Sequence, residues 1–150
     1  RILGMIPALR NAEIVRYGVM HRNTYINSPK LLNRYYCLKH NTRIGFAGQI
    51  TGVEGYVESA ASGLLCGLET AQKLLGLTPI DFPSKTAIGA LTLYISTSSV
   101  ANFQPMNINF GIIDPIGSEI KFKGKRNKNV AISERSLKII DSIIEGEYHS

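Results

Sequence analysis

Three closely spaced glycines, Gly48, Gly52 and Gly55, separate an apolar run at residues 43–47 from a long run of small and apolar residues at 56–75. This arrangement limits the chain more than any other stretch. The first run reads as a strand, and the second carries the helical pattern YVESAASGLLCGLETAQKLLG. Glycines between them permit backbone angles and close approaches that residues with a Cβ resist. A helix that starts straight out of such a loop presents unpaired N–H groups and the positive end of its dipole to whatever fills the loop. The site favours an anion or a developing negative charge. On the glycines alone, a strand–helix connection that simply packs tightly is the better reading. Ala60, Ala61, Ser62, Gly63 and Gly67 give the helix a small-sided face that can lie close to a sheet or a ligand.

Around this unit the chain reads as alternating short elements. Residues 1–12 suit a helical turn that Pro7 interrupts unless it sits in the first turn. Residues 13–21 and 34–39 have the composition of strands, and Asn41-Thr42 makes a turn into the strand at 43–47. Residues 22–33 are turn-rich, with Pro29 pushing Ser28 towards an extended conformation. Gly76 is placed to stop the long helix and Pro79 to prevent its restart. A further helix is expected over 86–95, an extended stretch over 102–113, and a last helix over 133–145 with Ser133 as its N-cap. With 44% apolar residues over 150 positions, the chain can bury a domain-sized core. No apolar run approaches the length of a membrane span, and the two cysteines fit a reducing cytoplasm. The chain opens at Arg1, without Met or a signal pattern, which reads as a piece of a longer protein.

The charge is lopsided, 17 basic against 11 acidic residues for a net +6. Lys121, Lys123, Lys125, Arg126 and Lys128 concentrate five positive charges in KFKGKRNKN, read as a loop. Such a run is a solvated surface or a set of phosphate contacts. Cys37 and Cys66 lack any paired-motif spacing, and core packing explains both better than a nucleophilic role. Cys37 has no cationic residue immediately beside it in sequence. His21, Arg22, Asn23 and Thr24 open a polar loop from which side chains can reach a ligand or only water. Gln104 and Asn107 serve equally as buried loop-ordering amides or as ligand contacts.

Longer strings are more specific. Phe46-Ala47-Gly48-Gln49, followed by Gly52, Gly55, Tyr56 and Glu58, resembles the C-terminal flavin-contacting motif of the GidA-like FAD proteins. Residues 16–29 (RYGVMHRNTYINSP), Gly52 to Gly63, Thr86 to Leu91 and Phe103 to Gly111 are similar to one branch, the folate- and FAD-dependent tRNA (uracil-54-C5)-methyltransferases. The resemblance runs in order from about Ile6 to the last helix.

That resemblance implies an α/β fold, the C-terminal part of a Rossmann-like FAD-binding domain with part of an inserted substrate domain. Residues 1–42 would end the inserted domain, and 43–150 would complete the FAD domain with a helical tail. It implies FAD, methylenetetrahydrofolate as carbon donor and NAD(P)H as external reductant. The substrate would be tRNA, methylated at C5 of a T-loop uridine; rRNA is the alternative address, and a non-catalytic RNA-binding fragment the alternative class. Gly48, Gln49, Gly52, Gly55, Tyr56, Val57 and Glu58, with His21, Arg22 and Asn23, become the expected cofactor contacts. The basic residues at 121–128 become the expected RNA contacts. No metal ligand is expected. The family's pyrophosphate-gripping Gly-x-Gly-x-x-Gly and its Glu-Gly-Cys nucleophile have no counterpart here and are expected upstream of Arg1, so no residue of this chain is assigned as the nucleophile.

Overall fold

A computed structural model describes residues 5–13, 24–97, 103–117 and 119–146. Four helices carry the architecture: α1 (Ser28–Leu31), α2 (Tyr56–Leu74), α3 (Ala87–Ser96) and α4 (Gly124–Ile144). Short 3-10 turns occupy Pro7–Leu9 and Gln49–Thr51. Among the described residues pairing is limited to three isolated bridges, Leu32 with Leu38, Cys37 with Gly45, and Val53 with Met106. The α/β expectation is corrected to this extent: the described part is mostly helical and contains no strand. The strand expected over 13–21 falls, apart from Glu13, outside the described residues.

The expected strands at 34–39 and 43–47 fail for a local reason. The Asn33 side-chain oxygen accepts from the N–H groups of Tyr35 (2.9 Å) and Cys37 (3.0 Å), which a ladder would otherwise use. Tyr36 sits at φ +62°, a left-handed conformation that breaks the alternation of a strand. The result is a folded-over loop in which Leu38 N–H reaches Ile44 O and Phe46 N–H reaches Tyr36 O, each at 2.9 Å. The turn at Asn41-Thr42 forms as expected, with Asn41 accepting from Arg43 N–H. Ser28, expected to be extended ahead of Pro29, instead opens α1 and is buried; its hydroxyl donates to Thr51 O at 2.7 Å.

α2 closes as its sequence suggests. Gly76 takes φ +68°, its N–H reaches Lys73 O, and Leu77 N–H reaches Gln72 O at 2.8 Å. α3 is capped by Thr86, whose hydroxyl oxygen accepts from Gly89 N–H. This helix is apolar nearly all round because it is buried on two sides. Leu91 and Ile95 join Leu32, Tyr36, Val53, Leu65 and Phe103 in the main core. Ala90 faces a second cluster with Ile113 and Ile132 of α4. Ile108 and Ile112 pack against both clusters. α4 begins nine residues before its expected start, so Ser133 is an exposed mid-helix residue and not a cap. Lys and Arg propagate helices well, and a basic run need not be a loop.

Gly89 is where α3 meets the connection before it: an added Cβ would collide with the carbonyl oxygens of Phe82 and Pro83. These are backbone atoms and cannot rotate away. Gly89→Ala is expected to destabilise the fold by about 1–3 kcal/mol through overpacking, read as a lower midpoint in thermal or urea unfolding.

Candidate functional site

The loop between residues 47 and 56 is fastened by buried hydroxyls. Gly48 (φ +76°) donates its N–H to Ser62 Oγ of α2 at 2.7 Å, and Ser62 in turn donates to Ser59 O. Thr51 returns a hydroxyl bond to Gly48 O, while Ile26 N–H reaches Ile50 O at 2.9 Å. Ser28, Thr51 and Ser62 are almost completely buried. None of the three was signalled as a site residue, because each looks like an ordinary small polar residue in sequence.

The second half of the loop is pinned by the segment after α3. Val53 bridges Met106 in parallel, with Glu54 N–H to Met106 O and Met106 N–H to Gly52 O at 3.0 and 3.1 Å. Gly52 (φ +84°) lies against the Phe103 ring, where a Cβ would stand 2.5 Å from Cε1. Gly55 (φ +90°) is covered by the Glu58 carboxylate and by Asn107 Nδ2, the latter 2.9 Å from a would-be Cβ. At Gly52 both the ring and the positive φ call for glycine, and at Gly55 the positive φ does.

The loop thus brings Gly48, Gln49, Gly52, Gly55, Tyr56, Val57 and Glu58 into one contiguous stretch, but the seven play different parts. Gly48 faces open space, and the Gln49 side chain is exposed. Tyr56 is 97% exposed and Val57 80%, so neither side chain supports the fold. Glu58 is turned inward, where Oε1 accepts from Ile108 N–H at 3.2 Å. The first of the helical bonds runs from Ser59 N–H to Gly55 O, and no side chain caps the helix. The amides of Tyr56, Val57 and Glu58 accordingly stand at the positive end of a 19-residue helix beside an exposed aromatic ring. Such an edge can receive the acceptor groups of a planar ligand; Glu54 of the loop has its N–H tied to Met106 O, and the Glu58 carboxylate is turned to the Ile108 amide.

His21, Arg22 and Asn23 lie outside the described residues. Thr24 is exposed, two residues before the Ile26 amide that bonds the loop. Gln104 and Asn107 are exposed, which corrects the buried-amide reading; the backbone carbonyl of Gln104 accepts from Tyr94 OH at the surface. Cys37 does have a cation nearby in space: Lys73 Nζ stands 4.0 Å from its sulfur. Burial nevertheless raises the pKa of both Cys37 and Cys66, with Lys73 opposing. Lys73 also pairs with the buried Glu69 at 2.7 Å.

Lys121, Lys123, Lys125, Arg126 and Lys128 are all exposed. The last three occupy the opening turns of α4, which correct the expected loop, and the first turn contains no acid. None of the five forms an ion pair among the described residues. Lys125 and Arg126 flank a cleft of about 500 Å³ whose floor includes Phe110, Val130 and Leu137. Among the described residues no helix is long and apolar enough to cross a membrane, and no three metal-ligating side chains converge.

A family model described as glucose inhibited division protein A matches residues 1–78. A protein of Acetivibrio thermocellus named methylenetetrahydrofolate–tRNA-(uracil-5-)-methyltransferase TrmFO is 56% identical over 144 residues, covering 96% of this chain and 33% of its own length. Proteins of the same name from Bacillus cytotoxicus and Natranaerobius thermophilus are each 54% identical, covering 95% and 97% of this chain and 32% and 33% of their own. The chain spans about a third of the length of these relatives.

Glu58 adds a side-chain link from the start of α2 to the 103–113 segment, beside the backbone bonds at Met106. Glu58→Ala is expected to cost about 1–3 kcal/mol, the range for losing a charged acceptor. The accompanying readout is faster hydrogen exchange at the Ile108 amide.

Proposed function

The chain belongs to the glucose inhibited division protein A family, and on that premise we propose that it is the C-terminal part of a flavin- and folate-dependent tRNA methyltransferase. The whole enzyme would place a methyl group on C5 of uridine 54 in the T-loop. It would draw carbon from methylenetetrahydrofolate and reducing equivalents from NAD(P)H through FAD. The observation that carries this reading is the free amide edge of α2 beside the open Gly48 and the exposed Tyr56. The names of the relatives support tRNA as the substrate.

These residues fit a flavin. Bound FAD would supply the redox chemistry, and everything else assigned to this chain is binding and orientation. The amides of residues 56–58 would hold negative charge at the pyrimidine end of the ring, supported by the helix dipole. Gln49, neutral and exposed, can donate near phosphate without adding repulsion. Tyr56 offers a face for stacking, and Val57 an apolar edge beside it. Gly52 and Gly55 let the loop pack against Phe103 and Glu58, while Glu58 positions the loop through Ile108. His21, Arg22 and Asn23 are proposed to border the same pocket.

In the whole protein, the reading places this chain in a Rossmann-like α/β domain whose sheet comes from the remaining two-thirds of the length. The proposed join at residues 42/43 marks the return from the inserted domain. The main core crosses that join, since Leu32 and Tyr36 pack with Leu65 and Leu91. A cytoplasmic location goes with a tRNA substrate. The five cations at 121–128 are the proposed phosphate contacts.

Tyr56 gives the sharpest test, because an exposed ring can be removed without disturbing the core. In the full-length protein, Tyr56→Ala should weaken FAD binding about 5- to 10-fold, as expected for a lost aromatic stack, with an unchanged unfolding midpoint. Equal FAD affinity in titrations of the two proteins would remove the stacking assignment. Replacing Lys121, Lys123, Lys125, Arg126 and Lys128 together with Gln should weaken tRNA binding and flatten its dependence on log[salt] by roughly 0.7–0.9 per lost phosphate contact. An unchanged slope would place the RNA elsewhere.

A further inference from the structure

We propose that Cys37 and Cys66 form a dithiol site that hydrogen peroxide closes into an intramolecular disulfide, joining the 33–46 loop to α2. Both cysteines are free, and the proposed methyltransferase reading uses neither. They are 29 residues apart in sequence, yet their side chains converge on Gly45. A methyl group there would lie 2.5 Å from the Cys66 sulfur and 3.9 Å from the Cys37 sulfur. Cys37 is held at this point by its own bridge to Gly45, and Cys66 reaches it from the middle of α2. The two thiols interact with each other as well as with Lys73.

The surroundings suit the chemistry. Cys66, Glu69 and Lys73 fall at helical spacing along α2, so one face carries the sulfur, the carboxylate and the ammonium. Glu69 is buried and holds Lys73 Nζ at 2.7 Å. That leaves the ammonium 4.0 Å from the Cys37 sulfur, where it opposes, without reversing, the rise in thiol pKa that burial imposes.

Exposure sets the order of events. Cys66 is half-buried and Cys37 fully buried, so peroxide meets Cys66 first. The Cys66 thiolate attacks one peroxide oxygen, the O–O bond breaks, and the departing hydroxide takes up the thiol's proton as water, leaving a sulfenic acid. The Cys37 thiolate then attacks the Cys66 sulfur. The S–O bond breaks, hydroxide leaves with the Cys37 proton as a second water, and the disulfide is formed. In balance, two thiols lose two electrons and one peroxide becomes two waters. The covalent ring so closed contains the whole loop from Gly48 to Gly55, and both its ends become tethered. This inference is independent of the flavin and RNA assignments.

The test is peptide mapping of the full-length protein after brief treatment with hydrogen peroxide, alkylation and digestion without reductant. The expected product is a pair of peptides joined through Cys37 and Cys66, two hydrogens lighter than their sum and separated again by dithiothreitol. Cys37→Ser should leave a sulfenic acid on Cys66 that dimedone captures. Gly45→Ala, which displaces the Cys66 sulfur, should lower the yield of cross-link several-fold. Oxidation of Cys66 to sulfinic acid in the unsubstituted protein without any Cys37–Cys66 peptide would overturn the proposal. So would a Cys66 linked only to another cysteine or to a second copy of the chain. The unsubstituted protein alone decides the matter if either variant fails to fold.

Discussion

A relay of buried hydroxyl bonds holds the site together, and most of what surrounds it depends on that relay. Ser28 of α1 donates to Thr51 O, Thr51 donates to Gly48 O, and Gly48 donates to Ser62 of α2. Three segments with little else in common are thereby fixed to one another. Each hydroxyl is out of water, so an unmade bond would leave a buried polar group without a partner. The relay is therefore closer to all-or-none than a set of surface contacts would be. It also lets the outer rim of the loop remain free, because the inner rim alone supplies the rigidity.

Burial and exposure divide neatly within twelve residues, 51–62. Thr51, Val53 and Ser62 are inside, while Tyr56 and Val57, between them in sequence, are out in solvent. An aromatic and a β-branched residue left that open at a helix start have no role in the described core. Their exposure leaves both side chains free to meet a ligand. Glu58, one residue further, is half-buried and turns its carboxylate to the Ile108 amide.

The bodies and some ends of α2 and α3 were legible in the sequence, whereas α1, the start of α4 and the pairing were not. Gly76 as the stop of α2 and Thr86 ahead of α3 act through local chemistry that a short window contains. The extended runs at 34–39 and 43–47 have the composition of strands, but Asn33 captures two amides and Tyr36 turns left-handed. Composition carries no warning of either. For α4, the Ser133 cap signal was outweighed by helix formers upstream of it. In the site, the glycines were readable because their spacing is a backbone statement. The inward turn of Glu58 and the meeting of Cys37 with Lys73 depend on contacts 50 and 36 residues apart and could not be read.

The start of α4 has a consequence of its own. Three cations sit in its opening turns and two more precede it, with no acid in the first turn and no side-chain cap. Like charges repel one another there, and each also opposes the positive end of the helix dipole. The buried anchor, Ile132, lies more than two turns further along. Negative charge arriving at the opening of α4 would ease that repulsion; Glu134, on the same cleft as Lys125 and Arg126, is the acid of this helix nearest in place. An anion settling there would stabilise the first turns of α4 as well as make contacts of its own.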